Sequence, residues 1–222
     1  MATFCLIHGN WHDGSCWQPL IEALRARGHD AVAPDLPFDD PEASHDDRAQ
    51  PALTALEDVD DPIVIVGHSA GSAEATLVAA KRRPALLVYL CPRFGSFPTP
   101  AGAPDVFRAG FPFPPRDDQG RMVWELDAAI ATMYPRLPTE TAHAIAARLR
   151  PGAGPVGEYP LAEHPDVATA LIYTTDDEFF RPEWERFVAR EMLDIEPIEL
   201  TGGHFPMVED PDGLADVLDR LA

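Results

Sequence analysis

Residues 67–71 read Gly-His-Ser-Ala-Gly, a G-x-S-x-G pattern between a β-branched apolar run, Ile63–Val66, and a helical pattern. A turn this sharp pushes its central serine into the open, and it needs small neighbours because side chains there would strike the strand and the helix. Gly67 and Gly71 meet that demand. A dinucleotide-binding loop also joins a strand to a helix, but it needs glycine at its first, third and sixth positions. Those positions hold Gly67, Ser69 and Ser72, which argues against nucleotide binding and for nucleophilic chemistry at Ser69.

A serine hydroxyl is a weak nucleophile near neutral pH. It needs a base to take its proton and a carboxylate to orient that base. His204 follows the apolar run IEPIEL (195–200) in a glycine-rich loop, TGGHFP, and is the best base among the eight histidines. His68 sits inside the turn, where it packs or bonds locally. His12, His29, His45, His143 and His164 lie in loops, or in the proline-rich region and its flank, and no HExxH spacing suggests a metal. Three acids, Asp176, Asp177 and Glu178, follow the run ALIYTT (170–175), and any one of them can be the orienter. The resulting order of serine, acid, histidine is that of α/β folds with a nucleophile on such a turn. The anion formed when serine attacks a carbonyl needs fixed donors. The Ala70 N–H, at the start of a helix, is one. Asn10 N–H is the other, in the loop after the first strand, where Gly9 allows a close backbone approach.

The elements that must hold these groups are legible from the pattern of apolar residues. Thr3–Ile7 reads as a strand. A helix from Trp17 to near Gly28 carries Trp17, Leu20, Ile21 and Leu24 on one stripe, and Asp30–Ala33 reads as a second strand. After an acidic stretch from Asp39 to Asp47, a helix leads to the strand Ile63–Val66. The next helix carries Ala73, Leu77 and Ala80, and Leu86–Cys91 is a further strand. Thirteen of the 24 prolines then fall between Pro92 and Pro165, around two helical patterns at Trp124–Met133 and Thr139–Leu149. Regular alternation returns with the strand 170–175, a helix Glu183–Glu191, the strand 195–200 and a helix carrying Leu214, Val217, Leu218 and Leu221. Strands alternating with helices predict an α/β fold, a mainly parallel sheet of about six strands with helices on both faces. Residues 1–91 and 166–222 form its core, and residues 92–165 are an inserted cap.

The bulk composition narrows the partners. A chain of 222 residues with 45% hydrophobic content supports one sizeable core. A formal net charge of -20 repels phosphate backbones and anionic lipid, so neither nucleic acid nor a membrane is an expected partner. Cys5, Cys16 and Cys91 form no CxxC pair and are read as buried thiols. No basic start followed by a long apolar run marks a signal peptide, and no run approaches the length of a membrane span. The expectation is a soluble, cytoplasmic monomer or homodimer acting on a small molecule.

The stretches LIHGNWHDGSCW, GHDAVAPDLP, VGHSAG, IYTTDDE and GGHFPMVEDPDGLADVL resemble the α/β-hydrolase superfamily, in the branch of small esterases, methylesterases and hydroxynitrile lyases. The resemblance covers about two thirds of the chain and leaves the cap unplaced. It implies Ser69 as nucleophile, His204 as base, Ala70 and Asn10 as oxyanion donors, and no cofactor. Aligned on IYTTDDE, it favours Asp177 over Asp176 as the acid. It also implies that the chain opens at the family's third strand, without the usual N-terminal hairpin. Hydroxynitrile lyases carry lysine after the catalytic histidine, and threonine where hydrolases have the glycine of His-Gly. Here those positions are Phe205 and Gly9, which points to hydrolysis. Epoxide hydrolases and dehalogenases use aspartate at the turn, which Ser69 rules out.

The function expected is hydrolysis of a small carboxylic ester, or a thioester, through an acyl-enzyme on Ser69. Trp11, Phe205 and His68 are expected to contact substrate. Five phenylalanines between Phe94 and Phe113, with Trp11 and Trp124, either line an acyl pocket or form the cap's own small core. The competing expectation is a receptor-like or non-hydrolytic protein, a lyase or cyclase, that uses the same pocket.

Overall fold

The computed structural model describes residues 1–60 and 62–222. Six strands, β1 (Thr3–Ile7), β2 (Asp30–Val32), β3 (Ile63–His68), β4 (Leu86–Leu90), β5 (Thr169–Thr174) and β6 (Ile198–Leu200), form one parallel sheet. Its order is β2-β1-β3-β4-β5-β6. Side chains of a strand alternate between faces, so each apolar run supplies two cores at once. Phe4, Leu6, Val64, Val66, Val88, Leu90 and Ile172 pack on one face against α1 (Gln18–Ala26) and, through Leu214, Val217 and Leu218, α8 (Pro211–Leu221). Cys5, Ile7, Ile63, Ile65, Leu87, Tyr89, Leu171 and Tyr173 pack on the other. There they meet α2 (His45–Ala55), α3 (Ser72–Arg82) and the turns that follow Arg181. Burial on both faces explains why these strands read as unbroken apolar runs rather than alternating ones.

The sheet order fixes where a site can form. From β1 the chain steps outward to β2, then crosses back over β1 to β3 and continues the other way. The loops leaving β1 and β3 therefore diverge at the carboxyl edge, and such a switch point opens a crevice. Gly9–Asn10 follows β1 and Ser69 follows β3.

Several expected elements are shifted, each for a local reason. The second helix begins at His45, inside the acidic stretch. Ser44 and Asp47 form a reciprocal capping box there, and Asp46 and Asp47 sit in the first turn, where the helix dipole favours negative charge. Along α3, Leu77 is buried as expected, but Ala73 and Ala80 are only half-buried. Ser72, Glu74, Ala75, Thr76, Val78 and Ala79 are buried with Leu77, because α3 packs on both the sheet and α2. The last strand is Ile198–Leu200 rather than 195–200, since Pro197 has no N–H to donate to a ladder. The helix expected over Glu183–Glu191 is α6 (Pro182–Phe187), which widens into a π turn over Val188–Met192.

Residues 91–168 connect β4 to β5 and carry α4 (Leu126–Met133) and α5 (Thr139–Ala146). Ala129, Met133, Tyr134, Ala142 and Ala146 from this stretch are continuous with the core that contains Trp11, Phe179 and Phe205. The stretch has no small core of its own among the described residues. Between β6 and α8, α7 (Pro206–Glu209) follows His204 directly.

Candidate active site

Ser69 has φ 52, in the left-handed region that non-glycine residues rarely adopt. The turn around it leaves no room for side chains. A Cβ on Gly67 would lie 2.4 Å from Ala75 Cβ, and one on Gly71 only 2.3 Å from the His8 carbonyl oxygen. The small flanking residues are therefore a steric necessity, as the pattern implied. Gly71→Ala should destabilise the fold by roughly 1–3 kcal/mol, because the obstacle is backbone. Gly95→Ala, where no atom lies within 4 Å of the added carbon, should be nearly neutral. Urea midpoints for the two variants check this; equal midpoints would mean that the turn relaxes freely.

The residues expected as base and acid meet as a pair. His204 Nδ1 lies 2.6 Å from Asp177 Oδ2, with the two side chains 1% and 0% exposed. The other carboxylate oxygen, Asp177 Oδ1, accepts from Phe179 N–H at 2.6 Å and Phe180 N–H at 2.8 Å. A carboxylate only accepts, so the imidazole proton sits on Nδ1 and the Nε2 lone pair is left to take a proton. Asp176 is solvent-exposed and faces Arg136 instead. No hydrogen bond joins Ser69 Oγ to His204 among the described residues. In unliganded sites such bonds are commonly long and tighten only around substrate.

The histidine loop is held by three charged residues, of which the sequence singled out only Glu178, as a candidate acid. Glu178 Oε2 accepts from His204 N–H, and Glu209 Oε2 from Gly203 N–H, both at 2.9 Å. Arg136 pairs with Glu178. A Cβ on Gly203 would fall 2.5 Å from Arg136 Nη1 and 2.6 Å from Glu209 Oε1, so the second glycine of TGGHFP makes room for these charged groups. Phe179 stacks on the His204 ring, with centroids 4.3 Å apart and planes at 18°. The signal for Glu178 was present, as the third of the run of acids. Nothing in the local pattern pointed to Arg136 or Glu209.

A cavity of about 310 Å³ opens on Ser69 and is lined also by Asn10, Ala70, Trp11, Phe107, Phe113 and Phe180. Both residues expected to donate to an oxyanion thus share the wall of the serine's cleft. Trp11, expected at the substrate, is in it, and so are two of the five phenylalanines. His68 and Phe205, expected at the substrate, are not part of its lining. His68 is 1% exposed and donates from Nε2 to the His204 carbonyl at 2.8 Å, and Phe205 packs on His12, His68, His204 and Tyr134. Both pack against His204 instead, because the apolar core extends to the histidine loop.

Cys91 Sγ lies within 4.8 Å of ligand-type atoms of Asp177 and His204. His204 Nδ1 is already taken by Asp177, and burial, with smaller contributions from Glu185 and Asp177, pushes the Cys91 thiol well above its ordinary range. The trio is therefore arranged as a hydrogen-bonded pair beside a neutral thiol, a poor donor set for a cation. Glu185, wholly buried with neither carboxylate oxygen partnered, is likewise held well above the usual carboxylate range, first by burial and then by Asp177.

Two further buried histidines flank the crevice in fixed neutral forms. His8 donates from Nδ1 to Gly9 O at 2.9 Å and accepts at Nε2 from Leu36 N–H at 2.9 Å; His12 donates to Asn10 O at 3.0 Å and accepts from Tyr134 OH at 2.5 Å. Burial lowers both to about 4 from 6.5, and it also lowers His68 well below 6.5. The unfolded chain therefore binds protons at these positions before the folded one does. Stability should be fully present above pH 6.5 and fall as pH drops towards about 4, at up to about 1.4 kcal/mol per pH unit for each histidine. Urea midpoints taken across that window check the sign; a flat profile would mean that these rings protonate in the folded state.

The Alpha/beta hydrolase family profile matches residues 6–217. Among characterised relatives, the carbendazim hydrolyzing esterase of Nocardioides sp. (strain SG-4G) is 34% identical over 101 residues, covering 40% of this chain and 41% of that one. Esterase PIR7B of Oryza sativa subsp. japonica is 34% identical over 84 residues, 33% of this chain and 31% of its own. These matches span well under half of each relative's length. In three dimensions, a pyrethroid hydrolase from Sphingobium faniae JZ-2 superposes with a TM-score of 0.77 at 19% identity, over 99% of this chain and 96% of that one, which establishes a common fold. With its six parallel strands, its strained serine turn and a profile match over almost its whole length, this chain belongs to the alpha/beta hydrolase family.

Proposed function

We propose that this protein is a serine hydrolase that cleaves a small carboxylic ester, or a thioester, through an acyl-enzyme on Ser69. The observation that carries the reading is the buried His204–Asp177 pair at 2.6 Å, whose geometry leaves Nε2 as the free base on a loop packed against the serine turn. Relatives named as esterases and methylesterases support the reaction class.

In this mechanism His204 Nε2 takes the Ser69 Oγ proton as the oxygen attacks the substrate carbonyl. The oxyanion is met by the N–H groups of Ala70 and Asn10, fixed before the charge develops. His204 then returns the proton to the leaving alcohol or thiol, and the acyl group remains on Ser69. Water enters, His204 takes one of its protons, and the same steps in reverse release the acid and restore the serine. Asp177 keeps the imidazole in one tautomer and offsets its charge while it is protonated. Residues 92–165 act in this reading as a cap over the core formed by 1–91 and 166–222. Its phenylalanines, with Trp11, give the acyl chain an apolar wall.

The test is intact-mass spectrometry after incubation with a fluorophosphonate, on wild type, Ser69→Ala and His204→Ala. A single adduct on wild type that maps to Ser69 and is lost in both variants is expected, together with turnover of at least one ester in an acyl-length panel. Folded wild-type protein that takes no adduct would overturn the reading. Labelling without hydrolysis of any ester would favour a lyase, cyclase or receptor that uses the same serine.

A further inference from the structure

Acidic residues outnumber Lys and Arg by 37 to 17 in this chain, and most surface arginines sit beside a carboxylate. The lining of the serine's cleft is the reverse. The 310 Å³ cavity at Ser69 includes Arg93 and Arg116 and no acid. It adjoins a second cavity of about 380 Å³, with which it shares Asn10, Ala70, Arg93 and Met122. The second cavity adds Arg48, and its sole acid among the described residues is Glu74, whose Oε1 is taken by His45 at 2.9 Å. None of Arg48, Arg93 and Arg116 has a carboxylate within 4.0 Å among the described residues.

Arg48 makes the point most sharply. It is 1% exposed, its guanidinium lies 4.9 Å from the Phe38 ring centre, one nitrogen donates to the Ala153 carbonyl at 3.2 Å, and Nε has no partner. Burying a guanidinium without a carboxylate in direct contact is costly, and Arg48 is offset only at longer range, by Glu74, Asp40 and Asp39. Arg93 stands where the two chambers meet. Its backbone N–H donates to Ser69 O at 3.2 Å, so the residue is tied to the nucleophile's own turn while its side chain carries no ion pair. Arg93 and Arg116 are exposed and Arg48 is buried, and together they place three positive charges around this cleft, against a molecule whose overall charge is -20.

We infer that the ester cleaved at Ser69 carries a second group, a carboxylate, and that Arg93 holds it at the junction of the two chambers, with Arg48 and Arg116 strengthening the field. The substrate class is a half-ester of a dicarboxylic acid, or an ester whose alcohol bears a carboxylate. The guanidinium fork matches a carboxylate's two oxygens, and a neutral ester leaves these donors unused. This inference rests on the hydrolase reading above and narrows it.

The experiment compares kcat/KM for mono-p-nitrophenyl glutarate and p-nitrophenyl valerate, of equal acyl length, each corrected for its enzyme-free rate. Wild type should favour the anionic ester by about 10- to 100-fold, as one charge-assisted pair allows. Arg93→Gln should bring the ratio of the two values towards one, and Arg93→Lys, which keeps the charge but lacks the fork, should fall between Arg93→Gln and wild type. Equal or better hydrolysis of the valerate, or a ratio unmoved in Arg93→Gln, would overturn the inference while leaving the hydrolase reading intact. A binding arm decides the case in which neither ester is cleaved. Titration calorimetry on the same protein should give at least about tenfold tighter binding of 4-phenylbutyrate than of 4-phenylbutyramide. Equal binding of the two, or none, would overturn it.

Discussion

Ser69→Ala should lower turnover of a carboxylic ester by something on the order of 10⁶, because removing the nucleophile of a serine triad costs about as much as removing the whole triad. In the proposed mechanism what remains comes from the groups that Ser69→Ala leaves in place, the N–H donors proposed at Ala70 and Asn10 and the cavity itself, which would hold substrate and stabilise an oxyanion formed by water. The fold should survive. Serine and alanine face a similar cost at φ 52, and the Cβ contacts in the turn are the same for both. The measurement is kcat for the best ester of the panel, with the urea midpoint as a control for folding. Retention of activity within tenfold of wild type, in protein shown free of contaminating esterase, would mean that Ser69 is not the nucleophile.

Asp177→Asn should cost up to about 10⁴ in kcat through the wrong histidine tautomer, and the local bonding says why. Oδ1 of Asp177 accepts two backbone N–H groups, from Phe179 and Phe180. An asparagine must direct its carbonyl oxygen to those donors and its NH₂ to His204. The NH₂ only donates, so the imidazole must present a lone pair at Nδ1 and carry its proton on Nε2, where it can no longer accept from Ser69. Asp176→Asn, at an exposed residue that faces Arg136, should stay within a fewfold of wild type. Steady-state kinetics on the two variants separate the assignments. If Asp176→Asn is the damaging change, the acid has been misassigned.

These two predictions draw unequally on sequence and structure. The serine turn is legible in five residues, because its chemistry is a steric demand confined to the turn. Gly67 is required by Ser72 and Ala75 of the helix that follows, and Gly71 by His8, just past the end of β1. The sheet is legible for a related reason. A strand buried on both faces must be apolar throughout, so each of the main strands announces itself. The same rule overreached at residues 195–200, where Ile195 suggested pairing that Pro197 cannot make. It also blurred on α3, where burial on two sides hides which stripe faces the sheet.

The acid was not decidable from residue type. Asp176, Asp177 and Glu178 are adjacent and chemically alike, and their roles separate only when the chain turns. Asp177 is buried against His204, Glu178 bonds the backbone of the histidine loop, and Asp176 faces solvent. Phe205 and His68, expected at the substrate, pack against His204 outside the lining of the serine's cavity, since sequence neighbours point to different sides of a turn.

The sequence by itself determined the parallel α/β core and the strained turn at Ser69, since these follow from periodicity and from the volume of nearby residues, and it singled out His204 by its place in a glycine-rich loop after an apolar run. Only the tertiary structure decided which carboxylate bonds His204, which aromatic residues face the cleft, and that three arginines distant in sequence, Arg48, Arg93 and Arg116, line two adjoining chambers with no carboxylate within 4.0 Å among the described residues. Those outcomes depend on which loops the sheet order brings to one edge, and no local pattern of residues records that distance.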